Sequence, residues 1–496
     1  MSIFIQYCLL LFTFLSFLFC QTHHIPNSFS LPMNALFSEF HDFNSANNKI
    51  ISASRFNVRY NYHGILNNGH SNIDNYAELY APGTYSRLVS TRFSYANSWL
   101  IIELEPYQRF NSGLFSTLDA SLGTYQFNNN HGVGMKTNQI DMGFRQSQVI
   151  LHFNGIGIGY GRLSHWWGPG FHSSLALSSN APSQKTYTLG TFKDLRIGKF
   201  SFGTQIITMP YKSSSGTQLY FSGLKARMVF HSNPIITVQL HRTYLSGDFS
   251  NLSSKTNFKG SWTMEDATKL VIEPLFGQSK RNLDYTIPGT PGFDPWDELL
   301  SGFIELSFPR EDLNVYLEIG SDDSRGNFTD LLSHWDHTLG FLIGGKKYYL
   351  IGDYKYFLGV EYLSTKISNT YNPKFYRGDP NGSIYYAYEA YDYFTYKGRR
   401  MGAHSGSSSD DLIFILGTGN PKFISYLSYN KERHGIKSMI YPELKTELNF
   451  TYHRKITKHH SAFITLEYEH IRNFGFVKNK ISESTFLWFG YSFSLR

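Results

Sequence analysis

The chain has 496 residues, with 17% aromatic and 17% charged residues, 42 glycines, 17 prolines and two cysteines. Cys8 and Cys20 both lie in the first twenty residues, which excludes a disulfide framework or a cysteine-based metal site in the remainder. The net charge of +7 forms no basic run, which argues against a nucleic-acid partner, and a mean hydropathy of −0.30 excludes a bundle of apolar membrane helices.

In chain order, residues 3–19 (IFIQYCLLLFTFLSFLF) are nearly all apolar, and polar residues resume at Gln21. The run is short for a membrane span and reads as the core of a signal peptide over residues 1–20, so the protein is exported. No Lys or Arg precedes the core, and Leu18 and Phe19 depart from the small residues usual before a cleavage site. Residues 21–50 form a short segment, in which NALFSEFHDF has room for one helix.

From residue 51 onward the pattern is alternation. SASRFNVRYNYHG is the first strand-like run, and GIGIGYG at 155–161 lies in a similar pattern. No helix pattern follows those glycines, so they mark a strand kink or close packing and not a phosphate loop. In DLNVYLEIG, Leu313, Val315, Leu317 and Ile319 alternate with Asn314, Tyr316 and Glu318. SGFIELSF precedes it, and Pro309 to Asp312 make a short polar link between the two. TELNFTYHR and SAFITLEYEH repeat the pattern, and the chain closes on aromatic, alternating STFLWFGYSFSLR. Strict alternation marks strands with one apolar and one polar face. No repeat of propeller length is present. Short links and long polar stretches such as 364–411 coexist, as in an outer-membrane barrel. A closed barrel is also the structure, other than helices, that satisfies its backbone in lipid. At roughly 25 residues per strand with its loops, residues 51–496 make an all-β, antiparallel transmembrane barrel of about 18 strands.

Chemistry-bearing motifs are sparse. The chain has no His-Glu-x-x-His, no Walker loop and no Gly-x-Ser-x-Gly, and it calls for no enzyme activity, cofactor or resident metal. His23-His24 and His459-His460 read as solvated pairs; Asp410 and Asp411 could hold a cation, but read as an acidic loop tip. Two stretches stand out. Residues 161–182, GRLSHWWGPGFHSSLALSSNAP, run two tryptophans into a Gly-Pro-Gly turn. Residues 371–396 carry eight tyrosines among polar turn residues. Tyrosine and tryptophan offer flat apolar faces with polar handles, which suit the C–H faces and hydroxyls of sugars; a membrane-interface girdle or internal packing uses the same residues.

At GRLSHWWGPGFHSSLALSSNAP the chain resembles the Wzi family of capsule-assembly outer-membrane proteins. Trp166, Trp167, Gly168, Pro169 and Gly170 match that family's motif, as do SSLAL and then Ser178 to Ala181; Asn-Ala-Pro-Ser replaces the family's Asn-Ala-Arg-Pro. YKGRRMGAHSGSSSDDLIFILG (396–417) and DELLSGFIELSFPREDLNVYLEIGSDD (297–323) are further matches. The family's helical periplasmic part is reduced here to residues 21–50 or absent. The resemblance implies an outer-membrane, lectin-like barrel that holds extracellular or capsular polysaccharide without chemistry and aids its attachment or assembly. Lipid and polysaccharide-export machinery would be its other partners. Candidate polysaccharide contacts are Arg162, His165, Trp166, Trp167, Asn180, Tyr388, Tyr391, Arg399 and His404, with the arginines suited to acidic sugars. The alternatives are a channel for small solutes and a surface hydrolase.

Overall fold

The computed structural model describes residues 55–69, 74–79, 85–112, 139–213, 216, 218–247, 296–322, 339–366, 394–436 and 439–495. The expected signal peptide, the segment 21–50, Tyr388 and Tyr391 lie outside these residues.

The alternating segments form eighteen strands. The first six are β1 (Arg55–Asn67), β2 (Tyr85–Ala96), β3 (Leu100–Leu104 with Pro106–Ser112), β4 (Gln139–Phe144 with Ser147–Phe153), β5 (Ile156–Leu163) and β6 (Gln184–Thr191 with Leu195–Ile197). Next come β7 (Phe200–Lys212), β8 (Gln218–Phe230), β9 (Ile235–Gly247), β10 (Trp296–Phe308), β11 (Leu313–Asp322) and β12 (Leu339–Ile351). The last six are β13 (Tyr354–Ser364), β14 (Asp410–Asn420), β15 (Phe423–His434), β16 (Glu443–Lys455), β17 (His460–Arg472) and β18 (Ile481–Leu495). Each pairs antiparallel with the next, and β18 returns to β1 with Leu495 opposite Val58 and Phe486 opposite Asn67. Closure pairs every strand edge, which an open sheet in lipid could not do.

The faces are reversed relative to a water-soluble barrel. On β16, Leu448 and Phe450 are 47% and 41% exposed, while Asn449 and Thr451, which alternate with them, are buried. On β11, Leu317 and Ile319 face out while Tyr316 and Glu318 are buried. An apolar outer band around a polar-facing interior is the pattern that lipid selects.

The two ends differ. Residues 154–155, 231–234, 309–312, 352–353, 421–422 and 456–459 make short turns at one end. The long connections, including 164–183 and 365–409, leave the other. The polar link at 309–312 is thus a hairpin turn, as its composition suggests. Asp410 and Asp411 are not a loop tip: they begin β14 and are buried, Asp411 against His172 and His404 in the lumen and Asp410, on the opposite parity, against Lys366 and Arg433.

The interior is itself divided. Part of the inward wall is polar, with Gln205, Thr237, Gln239 and Lys346 toward the short turns and Glu432, Lys445 and Glu469 toward the long loops of β15–β17. Across β7–β14, toward the long loops, it is apolar: Ile207, Met209, Phe221, Leu245, Leu299, Leu342, Leu363 and Ile413 are all buried. These wall residues pack in one cluster with Trp167, Phe171, Leu175 and Leu177 from the 164–183 connection and with Phe394, Met401 and Ala403 from the segment that leads into β14. The hydrophobic core of this protein therefore lies inside its barrel.

Candidate functional site

The Trp-Trp-Gly-Pro-Gly stretch enters the lumen directly from the end of β5. Its glycines are required by close approach. A Cβ on Gly168 would lie 2.7 Å from a Glu318 carboxylate oxygen, and one on Gly170 would lie 2.9 Å from a Glu361 carboxylate oxygen. Those two wall carboxylates clasp the segment that follows. Glu361 of β13 accepts the backbone N–H groups of Phe171 (2.8 Å) and Ser173 (2.6 Å) and the hydroxyl of Tyr316 (2.6 Å). Glu318 of β11 accepts the Leu175 N–H at 3.3 Å. Irregular backbone inside a barrel has lost its water, and carboxyl oxygens on the wall satisfy it instead.

Asn180 joins three inward-folded segments. Its Oδ1 accepts from the Asn75 backbone N–H (3.2 Å) and from Arg399 (2.7 Å), and its Nδ2 donates to the Arg400 carbonyl (2.9 Å). Backbone bonds from Ala77 to Ser179 (2.9 Å) and from Ser178 to Met401 (2.7 Å) complete the junction. Residues 74–79, 164–183 and 394–409 thereby form a single plug. Beside it, Lys445 of β16 pairs with Asp74 (2.6 Å) and Glu432 (2.8 Å). Burial raises Asp74, but Lys445 and His404 outweigh it and hold its carboxyl well below the usual range. Burial lowers His404, yet Glu432 and Asp74 hold its imidazole well above the usual range. His172 is likewise held up by Asp411 against burial.

On the short-turn side of the plug lies a cleft of about 410 Å³. Its roof is residues 163–171, and its walls include Gln148, Gln205, Gln239, Thr188, Thr237, Phe192 and Phe303. Lys225, Lys346 and Arg227 line it against Glu305, with Arg227 paired to Asp194 at 2.8 Å. Trp167 is buried, stacked on His241 at 5.4 Å with Lys225 5.5 Å from its ring. Trp166 is half-buried and donates its indole N–H to the Gly170 carbonyl at 3.1 Å, which fixes the ring at the roof. His165, also half-buried, is pushed down to about 3 by burial and then by Lys225, so it lines the cleft as a neutral ring. Aromatic faces, amides, hydroxyls and cations around one concave space suit a polyhydroxylated, anionic or neutral ligand.

The sequence candidates therefore separate. His165, Trp166 and Trp167 converge on the cleft. Asn180, Arg399 and His404 are buried in the plug and bonded to protein partners. Arg162 shares the parity of outward-facing Ile158 and Tyr160 at the long-loop rim, where its Nε donates to the Ser183 carbonyl at 3.2 Å. Glu361 and the hub contact Asn75 carry no motif, and Glu318, inside the matched 297–323 stretch, reads there only as part of a strand's polar face. A carboxylate on the polar parity of a barrel strand is the one signal they leave in the sequence.

Fold and lumen together define an outer-membrane β-barrel whose interior is occupied by its own long connections. Among solved structures the chain has the fold of Wzi, an outer-membrane protein involved in group 1 capsule assembly in Escherichia coli and described as a carbohydrate-binding β-barrel. That likeness has a TM-score of 0.57 at 11% identity and covers 93% of this chain and 88% of that one. OccK8 (OprE) of Pseudomonas aeruginosa is similar at a TM-score of 0.44 and 10% identity, over 90% of this chain and 99% of that one. OccAB3 of Acinetobacter baumannii has a TM-score of 0.44 at 9% identity, over 89% and 99%. No protein-family model and no curated protein matches the chain.

Proposed function

We propose that this barrel is a lectin-like outer-membrane protein that binds polysaccharide and aids capsule or exopolysaccharide attachment or assembly, without catalysing a reaction. The observation that carries this reading is the apolar sector of the inward wall across β7–β14, covered by the clasped plug. A water-filled channel needs a polar lining along its length. A wall of Ile207, Phe221, Leu245 and Leu342 exposed to a water column would forfeit about 1.5–3 kcal/mol per side chain. A fixed plug suits a rigid binding platform. The cleft beneath it supplies the aromatic and amide groups that saccharides use, with Trp166 as the platform and Lys225 and Lys346 for acidic sugars. Short turns of outer-membrane barrels face the periplasm, so this cleft opens toward the side from which an exported polymer arrives.

The test is binding of the folded, detergent-purified protein to an array of bacterial capsular and exopolysaccharides, beside conductance in planar bilayers. Saccharide binding that falls in Trp166→Ala, with no steady conductance, supports the reading. Steady conductance with no glycan retained would establish the channel alternative, and shortening of a bound polymer would establish a hydrolase.

A further inference from the structure

We propose that His172, His404 and Asp411 form a binding site for one divalent transition-metal ion of the zinc class, which ties two plug segments to the barrel wall. The three residues come from the 164–183 connection, the 394–409 segment and the start of β14, so no local motif announces them.

The geometry carries the assignment. His172 Nε2 lies 3.1 Å from Asp411 Oδ2, and His404 Nε2 lies 3.2 Å from the same oxygen. With metal–ligand bonds of about 2.0–2.1 Å, neighbouring ligand atoms of a tetrahedral site stand about 3.3 Å apart. Glu432 Oε1, at 3.7 Å from His404 Nε2, stands where a fourth ligand or a bound water would be held. The donor set, two imidazoles and a carboxylate, is one that zinc and its neighbours favour.

Two further features point to an ion. Asp411 Oδ1 is buried without a hydrogen-bond partner, although such groups almost always have one, and buried His404 Nε2, 3.2 Å from Asp411 Oδ2, makes no well-aligned hydrogen bond. Charge also favours a cation here. Lys445 pairs with both Asp74 and Glu432 and offsets one of their two charges, and among the described residues Asp411 meets no Lys or Arg, only the two imidazoles and the Ser173 hydroxyl at 3.4 Å. The competing occupants are a proton and, at His172 Nε2, the Asn430 amide 3.0 Å away, which a bound ion would displace. In the proton-bound state the Asn75 amide, 3.2 Å from His404 Nδ1, donates to that nitrogen and the ring's proton sits on Nε2. When Nε2 gives its lone pair to an ion, Nδ1–H has the Ser173 hydroxyl at 3.4 Å as its acceptor.

The experiment uses full-length folded barrel stripped with EDTA, in a background where His23, His24, His459 and His460 are alanine. Zn²⁺ binding is followed by calorimetry and Co²⁺ binding by visible absorption, with heat-modifiable gel migration as the check of folding. The expected result is one equivalent bound, a tetrahedral Co²⁺ band, and at least tenfold weaker binding in His172→Gln and Asp411→Asn. His172 is half-buried, so His172→Gln carries the test if Asp411→Asn fails to fold. Folded barrel that takes up no stoichiometric metal, or His172→Gln that binds as tightly as its parent, overturns the site and leaves a proton-bridged ion pair.

Discussion

Adjacent tryptophans in this protein have opposite tasks. Trp167 is buried against His241 and beneath Lys225, so Trp167→Ala should lose about 3–5 kcal/mol of stability, read as a lower midpoint in urea or heat. Trp166 is half-buried at the cleft, so Trp166→Ala should leave that midpoint within about 1 kcal/mol and weaken saccharide binding. Equal destabilisation by both would refute this division. His165 gives a pH signature. Its imidazole titrates near 3 in the folded barrel and near 6.5 when unfolded, so the unfolded chain binds the extra proton between those values. The stability that neutral His165 permits is complete above about pH 6.5 and is lost as pH falls toward 3. His165→Gln should make the decline between pH 6 and 4 shallower by up to one proton; an unchanged slope would show that His165 does not titrate in that window.

At the scale of elements, the plug is held by the wall and the wall is shaped for the plug. Glu361 on β13 satisfies two short backbone N–H bonds and the Tyr316 hydroxyl. Glu361→Ala strands those donors and should cost about 3–5 kcal/mol, with Glu361→Gln losing less because its amide oxygen still accepts. Denaturation midpoints of the two variants order them. On β8, Gly223 sits under the Trp167 ring, and a Cβ there would stand 2.9 Å from two ring carbons. Gly223→Ala should therefore destabilise by about 1–3 kcal/mol through overpacking, and an unaffected midpoint would mean that the indole can move aside.

For the molecule as a whole, closure and occlusion are separable properties. The strand ladders close without the plug, whereas the lumen is filled by three segments anchored at a few carboxylates and at Asn180. The wild-type barrel should show no steady conductance in planar bilayers. Glu318→Gln combined with Glu361→Gln should keep heat-modifiable migration yet admit intermittent ion flow, because each clasp exchanges one of its two acceptor oxygens for an amide donor while the barrel keeps its pairing. A double variant as silent as the wild type would place the occlusion in other contacts.

Much of this was legible in the residues themselves. Alternation such as Leu448, Asn449, Phe450, Thr451 is a local property, because neighbouring side chains on a strand point to opposite faces whatever the rest of the chain does. Strand type, the approximate number of strands and the barrel class follow from it. The Gly-Pro-Gly turn after the tryptophan pair was equally local. Where alternation lapses, as in β7 where Ile206, Ile207 and Met209 are all apolar, a wall covered on both faces is signalled, but not by what. Which polar residues clasp the plug had no local signal. Glu361 reaches back 190 positions to Phe171, and Asn180 meets Arg399 across 219. The sequence by itself determined a lipid-facing barrel with an aromatic-rich motif, because lipid acts on every strand alike. Only the tertiary structure decided that this motif folds inward, that one indole is core and the other lines a cleft, and that His172, His404 and Asp411 meet. Those outcomes depend on closing long loops against a wall, which no window of sequence contains.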